Sequence, residues 1–335
     1  MQYDVSICIP TYNRDKFLDE LIASINDNLI DIDNFNIEIV ISDNCSIDNT
    51  NNIVAKWKQI IPCKITYIVN DKNLGPDLNY LKAVNMANGK YCWLVGSDDL
   101  LKPNAIKELF QILFSNNGVD IFLFNRTACD LNMNIIEETK WLNVKNACKE
   151  FDLTISEHFI DYCNRAKYLG AFFSYLSSII IKKEIWDKVS FDNAFNNTGY
   201  SHVYYILTMI TRFNSKLLFL NKSLILFRSG NDYFSKDGFY RRVMLDFRGY
   251  IQLSKLIQIN NRRLFLSVLK KEHGYLRVLK LFSQNLSEQE HEELYCILKE
   301  IGYNPCLLNV INMIANKKLV FFLLKIKKML GIYRL

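Results

Sequence analysis

The sequence predicts an α/β fold: a mostly parallel sheet flanked by helices, with a helical C-terminal region behind it. Three observations carry that expectation. Short β-branched apolar segments alternate with amphipathic ones through the first 125 residues, and a polar, turn-forming stretch follows each of the first four apolar segments. Beyond about residue 238 the pattern turns helical and rich in Leu, Lys and Glu. Strand–helix alternation of this length builds a doubly wound sheet with right-handed crossovers.

The elements follow in order. Residues 3–10 (YDVSICIP), 35–43 (FNIEIVISD), 63–69 (CKITYIV), 90–96 (KYCWLVG) and 119–124 (VDIFLF) read as strands. After the first of them, DKFLDELIASIND keeps Phe17, Leu18, Leu21, Ile22 and Ile25 at helical spacing. Residues 126–230 are less regular and hold two further apolar segments, FFSYLSSIIIKK and KLLFLNKSLILF; within them, 126–165 has no readable period. The expected regions are therefore 1–125, 126–232 and 233–335.

Composition narrows the class. The 335 residues suffice for one large domain or two small ones, and a chain half hydrophobic and 13% aromatic is globular, not disordered. The start, MQYDVSICIPTYNR, lacks the pattern of a secretory signal, and no run approaches the roughly eighteen apolar residues of a membrane span. Nine cysteines without a C-x-x-C pair, with Cys8, Cys92 and Cys296 inside apolar patterns, read as reduced core thiols of a cytosolic protein. From Ile311 onward there are six basic residues (Lys317, Lys318, Lys325, Lys327, Lys328, Arg334) and no acid. The remaining 35 Lys and Arg balance 35 Asp and Glu, so the whole net charge of +6 sits in the tail. There, Leu319, Phe322, Leu323, Ile326, Met329 and Leu330 share one helical face, with Lys318, Lys325 and Lys328 on the other side. That pattern fits a helix lying on an anionic membrane, against the alternative of a last helix packed on the core. It is a local surface feature and no nucleic-acid footprint.

In an open α/β sheet, ligands bind beyond the carboxyl ends of the strands. That rule selects PTYNR after the first strand, SDNCSIDNT after the second, NDKNLGPD after the third and GSDD after the fourth. The adjacent Asp98 and Asp99 are the most pointed feature, because paired carboxylates at a strand end suit a hard cation; a helix cap for LLKPNAIKELF would explain only one of them. The first turn reads PTYNRD in place of G-x-G-x-x-G, which argues against a nicotinamide dehydrogenase.

These four stretches, in this order, resemble the nucleotide-sugar half of family 2 inverting glycosyltransferases of the GT-A (Rossmann-like) fold. NLGPDLNYL, YCWLVGSDD, FSYLSSIIIKKEIWD and GYSHVYYI further resemble the abequosyltransferases of O-antigen synthesis. The resemblance implies a nucleotide-sugar-binding half over 1–125 and an acceptor-binding half over 126–232. It implies transfer of a 3,6-dideoxyhexose such as abequose from a CDP-sugar to an undecaprenyl-pyrophosphate-linked oligosaccharide, at the inner face of the bacterial cytoplasmic membrane. The alternatives are a UDP- or dTDP-sugar transferase for another surface glycan, such as capsule, and a non-catalytic nucleotide-sugar-binding protein.

The same resemblance assigns roles. Asp98 would hold Mg²⁺ or Mn²⁺ at the diphosphate; Gly96 stands where the family's Asp-x-Asp motif has its first acid. Pro10, Thr11, Tyr12, Arg14, Asp43, Asn73, Gly75, Ser97 and Asp99 would line the donor pocket, with Tyr12 against the base and Asp43 on the pyrimidine or ribose. Asp77 and Asn79 are weaker candidates. For Asp43 the competing role is an Asx turn, for which Asp48 is better placed. Where the family has a Glu-Asp pair with the Asp as catalytic base, this chain reads Ser201-His202. His202, with an ordinary pKa near 6.5, becomes the candidate base, with Asp232 and Asp192 as fallbacks.

Overall fold

The computed structural model describes residues 3–30, 36–231, 234 and 237–315, and the chain divides into two compact units, 1–231 and 232–335. The first unit alternates as the apolar segments dictate. Strand β1 (Tyr3–Thr11) leads to helix α1 (Asp15–Leu29), β2 (Ile37–Asp43), α2 (Thr50–Ile60), β3 (Lys64–Val69), α3 (Pro76–Asn85) and β4 (Gly89–Leu94). A two-residue strand β5 (Leu100–Leu101) and α4 (Ala105–Ser115) precede β6 (Ile121–Cys129). The stretch without a readable period becomes a hairpin with β7 (Ile135–Thr139), a short β8 (Cys148–Phe151) and α5 (Ser156–Arg165). Then come β9 (Ile179–Lys182), α6 (Lys183–Trp186), α7 (Ser201–Phe213) and β10 (Leu217–Arg228).

All ten strands form one sheet in the order β3-β2-β1-β4-β9-β6-β10-β5, with β7 on β6 and β8 on β10. The six longest strands run one way; the short β5, β7, β8 and β9 run against them. Residue 125, where the sequence places a regional boundary, lies inside β6. β2 is buried at every position, as a strand covered on both faces must be. On α1, Leu18, Leu21, Ile22 and Ile25 turn inward to meet Ile7, Ile9 and Ile39 in one core cluster, while Phe17 is half-buried. Pro10 falls where β4 has already stopped pairing with β1, so its missing N–H removes no ladder bond on that side.

The second unit is helical: α8 (Phe239–Leu253), α9 (Ile259–Glu272), α10 (Tyr275–Phe282), α11 (Glu288–Ile301) and α12 (Pro305–Ala315). Its interior holds a polar centre. His273 Nε2 lies 2.8 Å from Asp246 Oδ2, Arg242 pairs with the same carboxylate, and Arg277 Nη1 is 3.2 Å from His273 Nδ1. Serine 287 and Glu290 form a reciprocal capping box at the start of α11. The basic amphipathic segment from Leu319 to Leu330 lies outside the described residues, within which no helix is long and apolar enough to cross a membrane. All nine cysteines are unpaired, but Cys148, Cys296 and Cys306 are exposed, so the expectation of core thiols holds only for Cys8, Cys92, Cys129 and Cys163; Cys296 falls on the solvent side of α11.

Candidate active site

Parallel register brings the selected loops to one edge: Thr11 pairs with Asp43, Asp43 with Val69, and β4 ends beside Cys8 of β1. The strand order reverses direction between β1 and β4, the position at which doubly wound sheets open a crevice.

Asparagines stitch the donor-side loops. Asn79 on α3 accepts from Ser42 Oγ (2.7 Å) and donates to the carbonyls of Ser42 (3.1 Å) and Thr11 (3.3 Å). Asn44 donates to Asn73 Oδ1 (2.8 Å) and to the Gly75 carbonyl (3.2 Å), and accepts from Leu74 N (2.8 Å). Asn73 Oδ1 also accepts from Gly75 N at 2.8 Å, an Asx turn that seats Gly75 at φ 81°, in the left-handed region. Asp43 is buried, with Oδ1 accepting from Ser46 N (2.9 Å) and Oδ2 from the Tyr67 hydroxyl (2.7 Å). It therefore makes a local turn of its own. Asp48 makes the second, taking Thr50 N and Oγ1 at the start of α2. Thr11 is buried with its hydroxyl unpartnered, Tyr12 is half-buried, and Ser97 is buried.

The acid pair splits into two environments. Asp98 keeps 15% of its side chain exposed; Oδ1 pairs with Arg14 Nη1 at 2.8 Å and Oδ2 accepts from Asn231 Nδ2 at 3.0 Å. Arg14 also donates to the Asn231 carbonyl at 3.2 Å, closing a small ring of contacts. Asp99 is buried. Its Oδ2 accepts from Ser177 Oγ (2.5 Å) and the Tyr175 hydroxyl (2.6 Å), and Oδ1 from Arg228 N (3.3 Å). Burial, and then the charge of Asp98, push its carboxyl up to about 7, with these donors only partly offsetting the rise. Burial and the neighbouring Asp99 raise the Tyr175 hydroxyl well above its ordinary range, so it stays a donor. Asp99 does not cap α4: β5 intervenes, and Asn104 holds the N-cap position at φ 63°. A Cβ on Gly96 would stand 3.2 Å from Asp99 Oδ2 and 3.3 Å from Asp98 Oδ1, so the chain comes closest to its own acids where it lacks a side chain.

Tyr175, Ser177, Arg228 and Asn231 have no local signal in the sequence. They arrive because β9 inserts antiparallel beside β4 and because β5 pairs with the end of β10. Arg228 is buried: Nε donates to the Asp98 carbonyl (3.1 Å), Nη1 to the Leu131 carbonyl (2.5 Å) and Nη2 pairs with Glu20, while its guanidinium lies 4.7 Å from the Phe17 ring.

The start of α7 differs from its expected role. His202 is 2% exposed, and its Nε2 contacts the Phe173 carbonyl at 2.9 Å while Nδ1 is unpartnered. Burial pushes it down to about 4, the Phe173 contact offsetting only part of that. A neutral, enclosed imidazole is poorly placed to take a proton from an acceptor hydroxyl. Asp77, a weak candidate in the sequence, instead serves α7. Fully buried, it accepts from Gly199 N (2.8 Å) and Ser201 N (3.1 Å), and its carbonyl accepts from Ser201 Oγ (3.2 Å). Tyr200, at the N-cap, makes no side-chain capping hydrogen bond, so the cap reaches α7 from another helix. Asp192 is exposed and closes its own turn by accepting from Ala194 N (2.9 Å); Asp232 lies outside the described residues.

A doubly wound sheet with polar loops gathered at the reversal between β1 and β4, and a carboxylate pair in the loop after β4, is the arrangement in which α/β proteins of this class bind ligands. The profile of Glycosyl transferase family 2 matches residues 6–189. Abequosyltransferase RfbV of Salmonella typhimurium (strain LT2) is 36% identical over 312 residues, 92% of this chain and 92% of that protein. Among solved structures, Staphylococcus aureus TarS 1–349 in complex with UDP-GlcNAc aligns with a TM-score of 0.62 at 16% identity, over 89% of this chain and 80% of its own. A mannosyltransferase from Pyrobaculum calidifontis, solved with GDP-Man and Mn²⁺, aligns with a TM-score of 0.53 at 14% identity, over 96% and 83%. The chain belongs to glycosyl transferase family 2 and is a glycosyltransferase of the GT-A fold.

Proposed function

We propose that the protein transfers a 3,6-dideoxyhexose, such as abequose, from a CDP-sugar to a lipid-linked oligosaccharide of O-antigen synthesis. The observation that carries the reading is Asp98, partly exposed in the loop after β4 beside Arg14 and within the span related to an abequosyltransferase. The donor's base would sit among Pro10, Thr11, Tyr12 and Asp43, and its phosphates near Asn73, Gly75, Ser97 and Arg14.

The donor set fits a divalent cation in one way. Each Asp98 oxygen holds one partner and retains a further lone pair, and Mg²⁺ binds readily to one carboxylate plus substrate phosphates and water. Among the described residues no group of three His, Cys, Asp or Glu could hold a metal unaided. A cation at Asp98 would supply positive charge to the departing diphosphate. Arg14 lends the same region a fixed positive charge, and Asp99, held by Tyr175 and Ser177, fixes the turn that presents Asp98. The reading gives the base role to Asp232, next in sequence after Asn231, in place of the enclosed His202. The basic tail would hold the enzyme at the inner membrane face, near such an acceptor.

Calorimetric titration with CDP, UDP and dTDP, each with and without Mn²⁺, tests the reading. The expected outcome is that CDP binds at least tenfold tighter than the others in Mn²⁺, and that Mn²⁺ alone gives no heat. Preference for UDP or dTDP would replace the donor; no binding of any diphosphate would remove the nucleotide site from this edge.

A further inference from the structure

Across β4 from the nucleotide strands, at the same edge of the sheet, lies a cluster that neither the acid pair nor the donor pocket accounts for. The Arg126 guanidinium carbon is 4.0 Å from the Phe227 ring centroid, 4.9 Å from Tyr175 and 5.0 Å from Trp141. The rings touch one another, Tyr175 meeting Phe227 edge-on at 5.1 Å and Trp141 at 6.2 Å. Tyr175 is shared with the acid pair, since its hydroxyl donates to Asp99 at 2.6 Å. The group therefore begins one side chain away from Asp98 and extends toward β6 and β10, opposite in sheet order to the strands that carry the donor loops.

Its construction is that of a fixed floor with three partly buried side chains around it. Trp141 is buried and immobilised: Nε1 donates to the Phe124 carbonyl (2.8 Å) and Ser178 Oγ (3.2 Å), and its ring lies on Gly170, where any Cβ would come within 2.3 Å. Arg126, Tyr175 and Phe227 are each partly buried, so the cluster reaches the surface at its margin. An arginine kept flat among rings loses little further entropy when its N–H edge meets a ligand, and the rings around it present apolar faces. A pyranose has these two surfaces itself, a C–H face that covers aromatic rings and hydroxyls that accept from a guanidinium.

We propose that Arg126, Trp141, Tyr175 and Phe227 form a carbohydrate subsite that seats a sugar ring of the acceptor and sets which acceptor is glycosylated. The subsite rests on the reading of the protein as a transferase acting on an oligosaccharide. Tyr175 couples it to the acid pair, so a sugar seated there lies beside the group presenting Asp98.

The test is saturation-transfer NMR and affinity measurement with p-nitrophenyl α-mannoside, α-galactoside and α-rhamnoside, in saturating CDP and Mn²⁺, on the full chain. At least one glycoside is expected to receive saturation on its ring protons in the wild type. Arg126→Met is expected to weaken that glycoside at least tenfold, Arg126→Lys to restore binding only in part, and both to bind CDP within twofold of wild type. Phe227→Leu, a milder change should Arg126→Met fail to fold, is expected to weaken the glycoside severalfold with CDP unaffected. CDP binding without a response from any glycoside would overturn the subsite, as would wild-type glycoside affinity in the variants. Parallel loss of CDP would reassign the cluster to the donor. Failure of the wild type to bind any nucleoside diphosphate would instead strike the transferase reading on which the subsite depends.

Discussion

The two halves of the first unit finish their strands by opposite means. On the donor side, Asn44, Asn70, Asn73 and Asn79 tie β1, β2 and β3 together through amide hydrogen bonds whose partners lie 9 to 68 residues apart. On the other side, the acids of β4 are held by Tyr175, Ser177, Arg228 and Asn231, from 76 to 133 residues away. The first arrangement uses neutral amides and nearer partners, all within the span from β1 to α3. The second depends on the whole sheet closing, and it carries the charges. The setting of the acid pair therefore depends on long-range assembly.

The largest expected effect sharpens that contrast. Asp98→Ala should lower kcat at least about 10²-fold while leaving the midpoint of thermal unfolding nearly unchanged, because its side chain is partly exposed and Arg14 stays solvated. Comparable turnover in assays of the variant would remove Asp98 from the chemistry. Next comes the link between the halves. Asp77→Ala leaves the buried Gly199 and Ser201 N–H groups unpaired and should cost about 3 kcal/mol in urea unfolding. Asp77→Asn, which retains one acceptor oxygen, should cost less; equal losses would show that the cap acts through charge alone. The smallest effect concerns pH. His202 titrates near 4 in the fold and near 6.5 unfolded, so between these values the unfolded chain binds more protons and stability falls as pH falls. The wild type should lose on the order of 2 kcal/mol more than His202→Gln between pH 7 and pH 4.5. Parallel stability curves for the two would mean that the imidazole is not enclosed.

What was legible in the sequence follows the same division. β1 to β4 and β6 stand where β-branched runs place them, and the loops PTYNR, SDN, NLG and GSDD meet at the predicted edge, because strand ends and turn chemistry are local properties. The environment of Asp99 was not legible. Nothing in GSDD tells which acid faces solvent, since the answer is fixed by a hydroxyl pair on the segment before β9. The enclosure of His202 was hidden for a related reason: helical spacing cannot reveal that the Phe173 carbonyl meets its ring. Asp77 looked like a pocket residue because its partners lie 122 and 124 positions downstream. The hairpin and short strands between 126 and 165 escaped notice because β7 is exposed at four of its five positions and shows no alternation.

Gly96 bears on how this active site can change over generations. With the space for its side chain bounded by Asp98, Asp99 and Ser177 at 3.2 to 3.4 Å, an acid introduced there to complete an Asp-x-Asp motif would fit only if these neighbours gave way slightly. The new carboxylate would crowd two existing ones and the hydroxyl that steadies Asp99. Gain of an acid at position 96 is therefore coupled to positions 98, 99 and 177, and a substitution at any of them changes what position 96 can accept.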